Sequence, residues 1–211
     1  MGGACCSGGC HSPAKAAGPR FRRALWAALV INAGMFVVEI VAGVAAGSSS
    51  LQADALDFFG DAANYGVSLF VLGLGLRARA MASLVKGATM AAFGLWVIGN
   101  TAYHLIGGTV PEAEVMGVIG AAALVANVVV AAMLYAFRDG DSNMRSVWIC
   151  SRNDAIGNLA VLAAASGVFA TGSGWPDFAV AAIMAALALS GAAQVLRLAL
   201  AELRRDAVAA P

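Results

Sequence analysis

Asp54, Asp57 and Asp61 lie three and four residues apart inside a stretch that is otherwise mostly apolar. On a helix those spacings put all three carboxylates on one face, and Asn64 and Ser68 continue it. A second polar stripe, Ser146, Cys150, Asp154 and Asn158, recurs every four residues further along the chain. An acid at the centre of a membrane helix costs about 2.5–3.5 kcal/mol on insertion scales, so such acids mark function by default. The chemistry these residue types share is cation binding. A divalent ion neutralises carboxylates that would otherwise repel one another or take up protons. Asp57, Asp61, Cys150 and Asp154 are the candidate metal ligands, all four able to serve one ion. Zn2+ accepts thiolate and carboxylate in tetrahedral sets, whereas Mg2+ and Ca2+ take oxygens. A Cys150 thiolate therefore biases the site toward Zn2+ and Cd2+.

Other residues stand near this set in the argument. Glu39, seven residues after Asn32 on one helical face, is a candidate for the ion or proton pathway, together with Asp54, Asn64 and Asn158. Cys5, Cys6, Cys10 and His11 form a separate cluster, a candidate auxiliary site that captures a soft ion. Asn32, Asn127 and Ser166 are read as hydrogen-bonding glue between helices. His104 is read as an interfacial residue, and Trp26, Trp96, Trp148 and Trp175 partly as interfacial anchors.

These stripes need membrane helices to carry them. Of 211 residues, 61% are hydrophobic and only 12% charged, with a mean hydropathy of +0.81. A soluble chain carries about 25% charged residues, so the excess apolar surface must meet lipid. A spanning helix needs roughly 20 apolar residues. That ruler predicts six, over 21–47, 50–76, 84–106, 114–137, 144–171 and 175–200. At about 1.5 Å per residue, Asp61 and Asp154 then lie about 17 and 15 Å into their helices, near the midplane. The fold class is all-α, an integral membrane bundle of six helices.

All thirteen Lys and Arg fall on the side of the termini and of the second and fourth links, while the opposite links carry Glu112, Glu114 and Asp177. The positive-inside rule makes both termini cytoplasmic. Residues 1–20 read as a flexible cytoplasmic segment, 21–203 as the membrane domain and 204–211 as a short cytoplasmic tail. No room is expected for a C-terminal soluble domain, and no secretory signal peptide is expected. No phosphate-binding Gly-rich loop is present in the sequence, so ATP-driven transport by this chain alone is not expected. A net charge of +1 suggests no nucleic-acid partner, and the protein is not expected to be an enzyme.

The chain resembles the cation diffusion facilitator family. Glu39-Ile-Val-Ala-Gly43-Val-Ala-Ala-Gly47-Ser48 is similar to the end of that family's first helix, and Ala53-Asp54-Ala55-Leu56-Asp57-Phe-Phe-Gly-Asp61 to its second-helix signature. On helix 5 the family usually has His-x-x-x-Asp where this chain reads Cys150-Ser-Arg-Asn-Asp154. The likeness covers the membrane domain only, without the family's usual cytoplasmic domain. It implies a six-helix transporter exporting Zn2+-like ions in exchange for protons, commonly as a homodimer, with Asp57, Asp61, Cys150 and Asp154 as transport-site ligands. The expected function is divalent-metal efflux, Zn2+ or Cd2+, by proton-coupled antiport in a bacterial plasma membrane. The alternatives are a metal receptor or chaperone-docking protein that does not transport, a small-solute/proton carrier, and a membrane thiol oxidoreductase built on Cys5 and Cys6.

Overall fold

A computed structural model describes the backbone of residues 19–70, 76–137 and 142–209, and their side chains except Ser68, Leu76, Arg79, 142–153 and 205–209. These residues form six helices: α1 (Pro19–Ala45), α2 (Ser49–Phe70), α3 (Leu76–Gly107), α4 (Ala113–Tyr135), α5 (Ser142–Thr171) and α6 (Trp175–Ala209). No strand occurs among the described residues.

The distribution of side chains inverts that of a soluble protein. Val30, Val37 and Val41 on α1, Val118 and Val125 on α4 and Phe169 on α5 point outward, while Glu39, Asp54 and Asp61 are buried. In water that arrangement would expose the apolar groups and strand the charges; in lipid the outer surface matches its solvent. Five of the helices are long and apolar enough to cross a membrane. The sixth, α2, holds three aspartates and sits at the centre of the bundle, in contact with all five others. Its residues enter every core cluster: Leu51 and Ala53 pack with Met116, Val161 and Ala185; Leu56 packs with Met90 and Ala192; and Tyr65 packs with Phe21, Val130 and Leu134. Surrounded by other helices, α2 need not be apolar all round.

Helix ends and helix packing are set locally. Gly47 adopts a left-handed φ of 65° and ends α1. Ser48 N–H donates to Gly43 O (2.9 Å) and Gly47 N–H to Val44 O (3.3 Å), the paired bonds of a Schellman turn. Ser48 then caps α2, its Oγ accepting from Leu51 N–H at 3.2 Å. Glu112 N–H donates to Ala46 O (3.1 Å), so the α3–α4 link is pinned to the α1–α2 turn.

α3 differs from the expected span, starting at Leu76 rather than residue 84. Hydropathy marks the part of a helix that meets lipid, and polar turns extend beyond it. Lys86, grouped in the sequence with Arg77 and Arg79 at a link, is consequently ten residues into α3 and only 8% exposed. Lys86 is thus a helix-interior residue rather than part of the basic link. α6 likewise continues through Ala209, past the expected membrane boundary. Asn32 Nδ2 donates to Ala28 O and Ser166 Oγ to Leu162 O. Those bonds close on their own helices rather than gluing neighbours.

Candidate functional site

Asp61 is the meeting point of three helices. It is 5% exposed. Its Oδ2 accepts a 2.7 Å hydrogen bond from the Tyr65 hydroxyl one turn later, and the carboxyl group of Asp154 on α5 lies beside it. The Lys86 ammonium, arriving from α3, acts on Asp61 electrostatically and donates a hydrogen bond to Asn64 Oδ1. Packing imposes this convergence. Tyr65 fixes this face of α2 against Phe21 of α1 and Leu134 of α4.

Chemically, two neighbouring carboxyl groups have only acceptors to offer when both are ionised. A proton, or a cation replacing it, between Asp61 and Asp154 relieves the repulsion of two neighbouring carboxylates. Asp57 is one turn from Asp61 and half-buried. The side chain of Cys150 lies outside the described residues, as do Cys5, Cys6, Cys10 and His11. Among the described residues no three His, Cys, Asp or Glu are gathered closely enough to hold a metal ion. The structure brings Asp61 and Asp154 together and leaves the four-residue set incomplete within what it describes. Asn158, one turn beyond Asp154, is fully buried and neither of its amide atoms has a hydrogen-bond partner among the described residues.

Nearer the α1–α2 turn lies a second polar region. Glu39 of α1 and Asp54 of α2 are 0% and 1% exposed, and their carboxyl groups lie close enough to act on each other. Neither Glu39 oxygen finds a donor, nor does Asp54 Oδ2. Asp57 acts on Glu39 electrostatically. Beside this pair, Asn100 Nδ2 of α3 donates to Gln52 Oε1 (2.7 Å), and Gln52 Nε2 donates to Gly43 O of α1 (3.2 Å). This α3–α2–α1 chain of amides escaped the sequence reading. Its signal was present: Gln52 and Asn100 are uncharged polar residues at similar depth in neighbouring spans, and both are expensive to leave unpaired in lipid.

Asp177 was read only as an acidic link residue, yet it is fully buried. Its Oδ1 accepts from Ser48 Oγ (2.8 Å) and Ser50 N–H (3.0 Å), and its Oδ2 from Ser49 N–H (2.7 Å). The carboxylate at the start of α6 thereby fixes the start of α2 and, through it, the depth of Asp54, Asp57 and Asp61. His104 Nδ1 is 3.0 Å from Thr109 Oγ1, a bond that folds the end of α3 onto its link.

No curated protein matches the chain to a significant degree. The family model described as the cation efflux transmembrane domain does match, over residues 25–204, from the second turn of α1 to the last turns of α6. That stretch takes in residues of every described helix, and the chain belongs to the cation efflux family.

Proposed function

We propose that this protein exports a soft divalent cation, Zn2+ or Cd2+, from the cytoplasm in exchange for protons, by alternating access of one site built on α2 and α5. The observation that carries the reading is the placing of buried Asp61 of α2 beside half-buried Asp154 of α5. Two facing carboxyl groups hold either a proton or a metal, so the same atoms bind cargo in one orientation and release it to protons in the other. Asp57 and Cys150 complete the ligand set, one turn from Asp61 and Asp154 respectively. A thiolate among carboxylates favours soft ions, and the Cys5/Cys6/Cys10/His11 segment captures such ions before they enter. Basic residues at the termini orient the chain with both ends in the cytoplasm of a plasma membrane, where it works as a homodimer through its membrane helices.

The test is flux in proteoliposomes. Wild type loaded with Zn2+ moves the ion faster when an opposing proton gradient is imposed, and acidifies or alkalises the lumen as it does so. Asp61→Ala abolishes both signals, and it fails to protect an export-deficient cell from metal. Wild type that moves no metal against a pH gradient would sink the exchange. Equal metal resistance from wild type and Asp61→Ala would sink the site.

A further inference from the structure

We propose that Glu39 and Asp54 form a proton-binding site between α1 and α2, separate from the Asp57/Asp61/Cys150/Asp154 set, in which the two carboxyl groups share one proton.

The argument begins with packing. Gly43, one turn after Glu39, has no room for a side chain: a Cβ there would lie 3.0 Å from Gln52 Cγ and 3.1 Å from Gln52 N. The missing side chain lets α1 and α2 approach closely. The approach brings Glu39 against Asp54 with almost no solvent exposure for either. Three of their four oxygens, both of Glu39 and Oδ2 of Asp54, have no donor among the described residues. The two carboxyl groups nevertheless lie close enough to act on each other. Ionised carboxylates only accept. A dry pair of ionised carboxylates with three oxygens lacking donors is costly, whereas one proton between the groups makes one of them the donor and the other the acceptor.

Among the described residues the surroundings supply no alternative neutraliser. Asp57 acts on Glu39 and adds negative charge. Lys86 bonds Asn64, roughly 15 Å further along α2. Asp154 of α5 lies beside Asp61, and Asp177 of α6 is occupied by the start of α2. α4, which also packs on α1, carries Glu114 in its exposed first turn. From α3 the region receives neutral amides, Asn100 bonding Gln52. With two carboxylates and few further donors, the pair suits a proton better than a metal ion.

The site's role in coupling rests on the antiport reading; its occupancy does not. The test of occupancy is infrared spectroscopy of the full chain in lipid vesicles near neutral pH, with and without Zn2+. Zinc displaces the proton held by Asp61 and Asp154. Zinc-loaded wild type keeps a protonated-carboxyl C=O band that shifts in D2O, and E39Q and D54N each abolish it. In either variant an amide N–H donates to the remaining carboxylate, so no neutral acid is needed. The wild type minus E39Q difference isolates the pair even if zinc fails to bind. Absence of that difference band, or a band that survives both substitutions, overturns the proposal. For coupling, zinc flux in E39Q and D54N proteoliposomes loses its acceleration by a proton gradient; acceleration equal to wild type overturns that role. A wild type with no zinc flux at all refutes the antiport reading, while the infrared result still decides the proton site.

Discussion

Asp177, at the start of α6, caps a helix to which it does not belong: its Oδ2 accepts the backbone N–H of Ser49, first residue of α2, at 2.7 Å. The first turn of a helix presents unpaired N–H groups and a partial positive charge. Asp177 takes the N–H groups of Ser49 and Ser50, and Ser48 Oγ takes that of Leu51. A hydrogen bond to a charged group contributes about 1.5–3 kcal/mol, and bonds to one carboxylate are not additive. Asp177→Ala should therefore destabilise the protein by about 2–3 kcal/mol, read as a lower thermal midpoint in detergent, and weaken metal flux because α2 loses its register. Asp177→Asn, which keeps one acceptor oxygen but loses the charge and the second acceptor, should lose less than alanine. Equal midpoints for wild type and Asp177→Ala would show that α2 is held elsewhere.

Gly43 sets the spacing on the other side of α2. Alanine there would press on Gln52 and Leu51, with contacts near 3.0–3.1 Å that include backbone as well as side-chain atoms. Overpacking of this kind costs about 1–3 kcal/mol. Gly43→Ala should lower the thermal midpoint and separate Glu39 from Asp54, whereas Gly34→Ala, at a position with open space around it, should do neither. The midpoint and the protonated-carboxyl infrared band read the two effects separately.

How far the sequence foretold this arrangement depends on the range of the interaction. The six helices were legible because the requirement for apolar length is local, and the acids on α2 were legible as buried because lipid tolerates them nowhere else. Lys86 was misplaced for the converse reason. Its neighbours Arg77 and Arg79 make it look like part of a basic link, and only the packing of α3 on α2 reveals it beside Asn64. Asp177 follows Pro176 at a turn and reads as an exposed link acid; its partners are more than a hundred residues away in sequence. The Glu39–Asp54 pairing is similar, since the helical period gives each residue's face but not the mutual rotation of α1 and α2.

Lys86 places a positive charge near the carboxylates proposed to hold the metal. With an effective dielectric constant of about 20, a unit charge roughly 10 Å from the ion opposes it by about 1.7 kcal/mol per unit of ion charge. Lys86→Met should therefore tighten Zn2+ binding by about two orders of magnitude and slow release, so that flux falls while affinity rises. Lys86→Arg keeps the charge and should retain the wild-type affinity. Zinc titration with a competing chelator gives the affinities, and stopped-flow flux gives the release rate. A Lys86→Met protein that binds zinc more weakly than wild type would contradict the electrostatic account.

Cys150 is the donor that distinguishes soft from hard ions in the proposed set. A serine hydroxyl is of similar size but a poor partner for Cd2+, which prefers sulfur. Cys150→Ser should lower Cd2+ affinity more than Zn2+ affinity. The cadmium loss should at least match the roughly 10–100-fold that removal of an outer hydrogen-bond partner of a ligand produces. Cys150→His supplies an imidazole nitrogen, which suits Zn2+, and should restore zinc binding while leaving cadmium binding weak. Parallel titrations of the two ions on the three proteins measure the ratio directly. If serine lowers both affinities equally, the thiol contributes to packing rather than to selection. A cadmium-to-zinc ratio that moves only with the sulfur would tie ion choice to this one side chain.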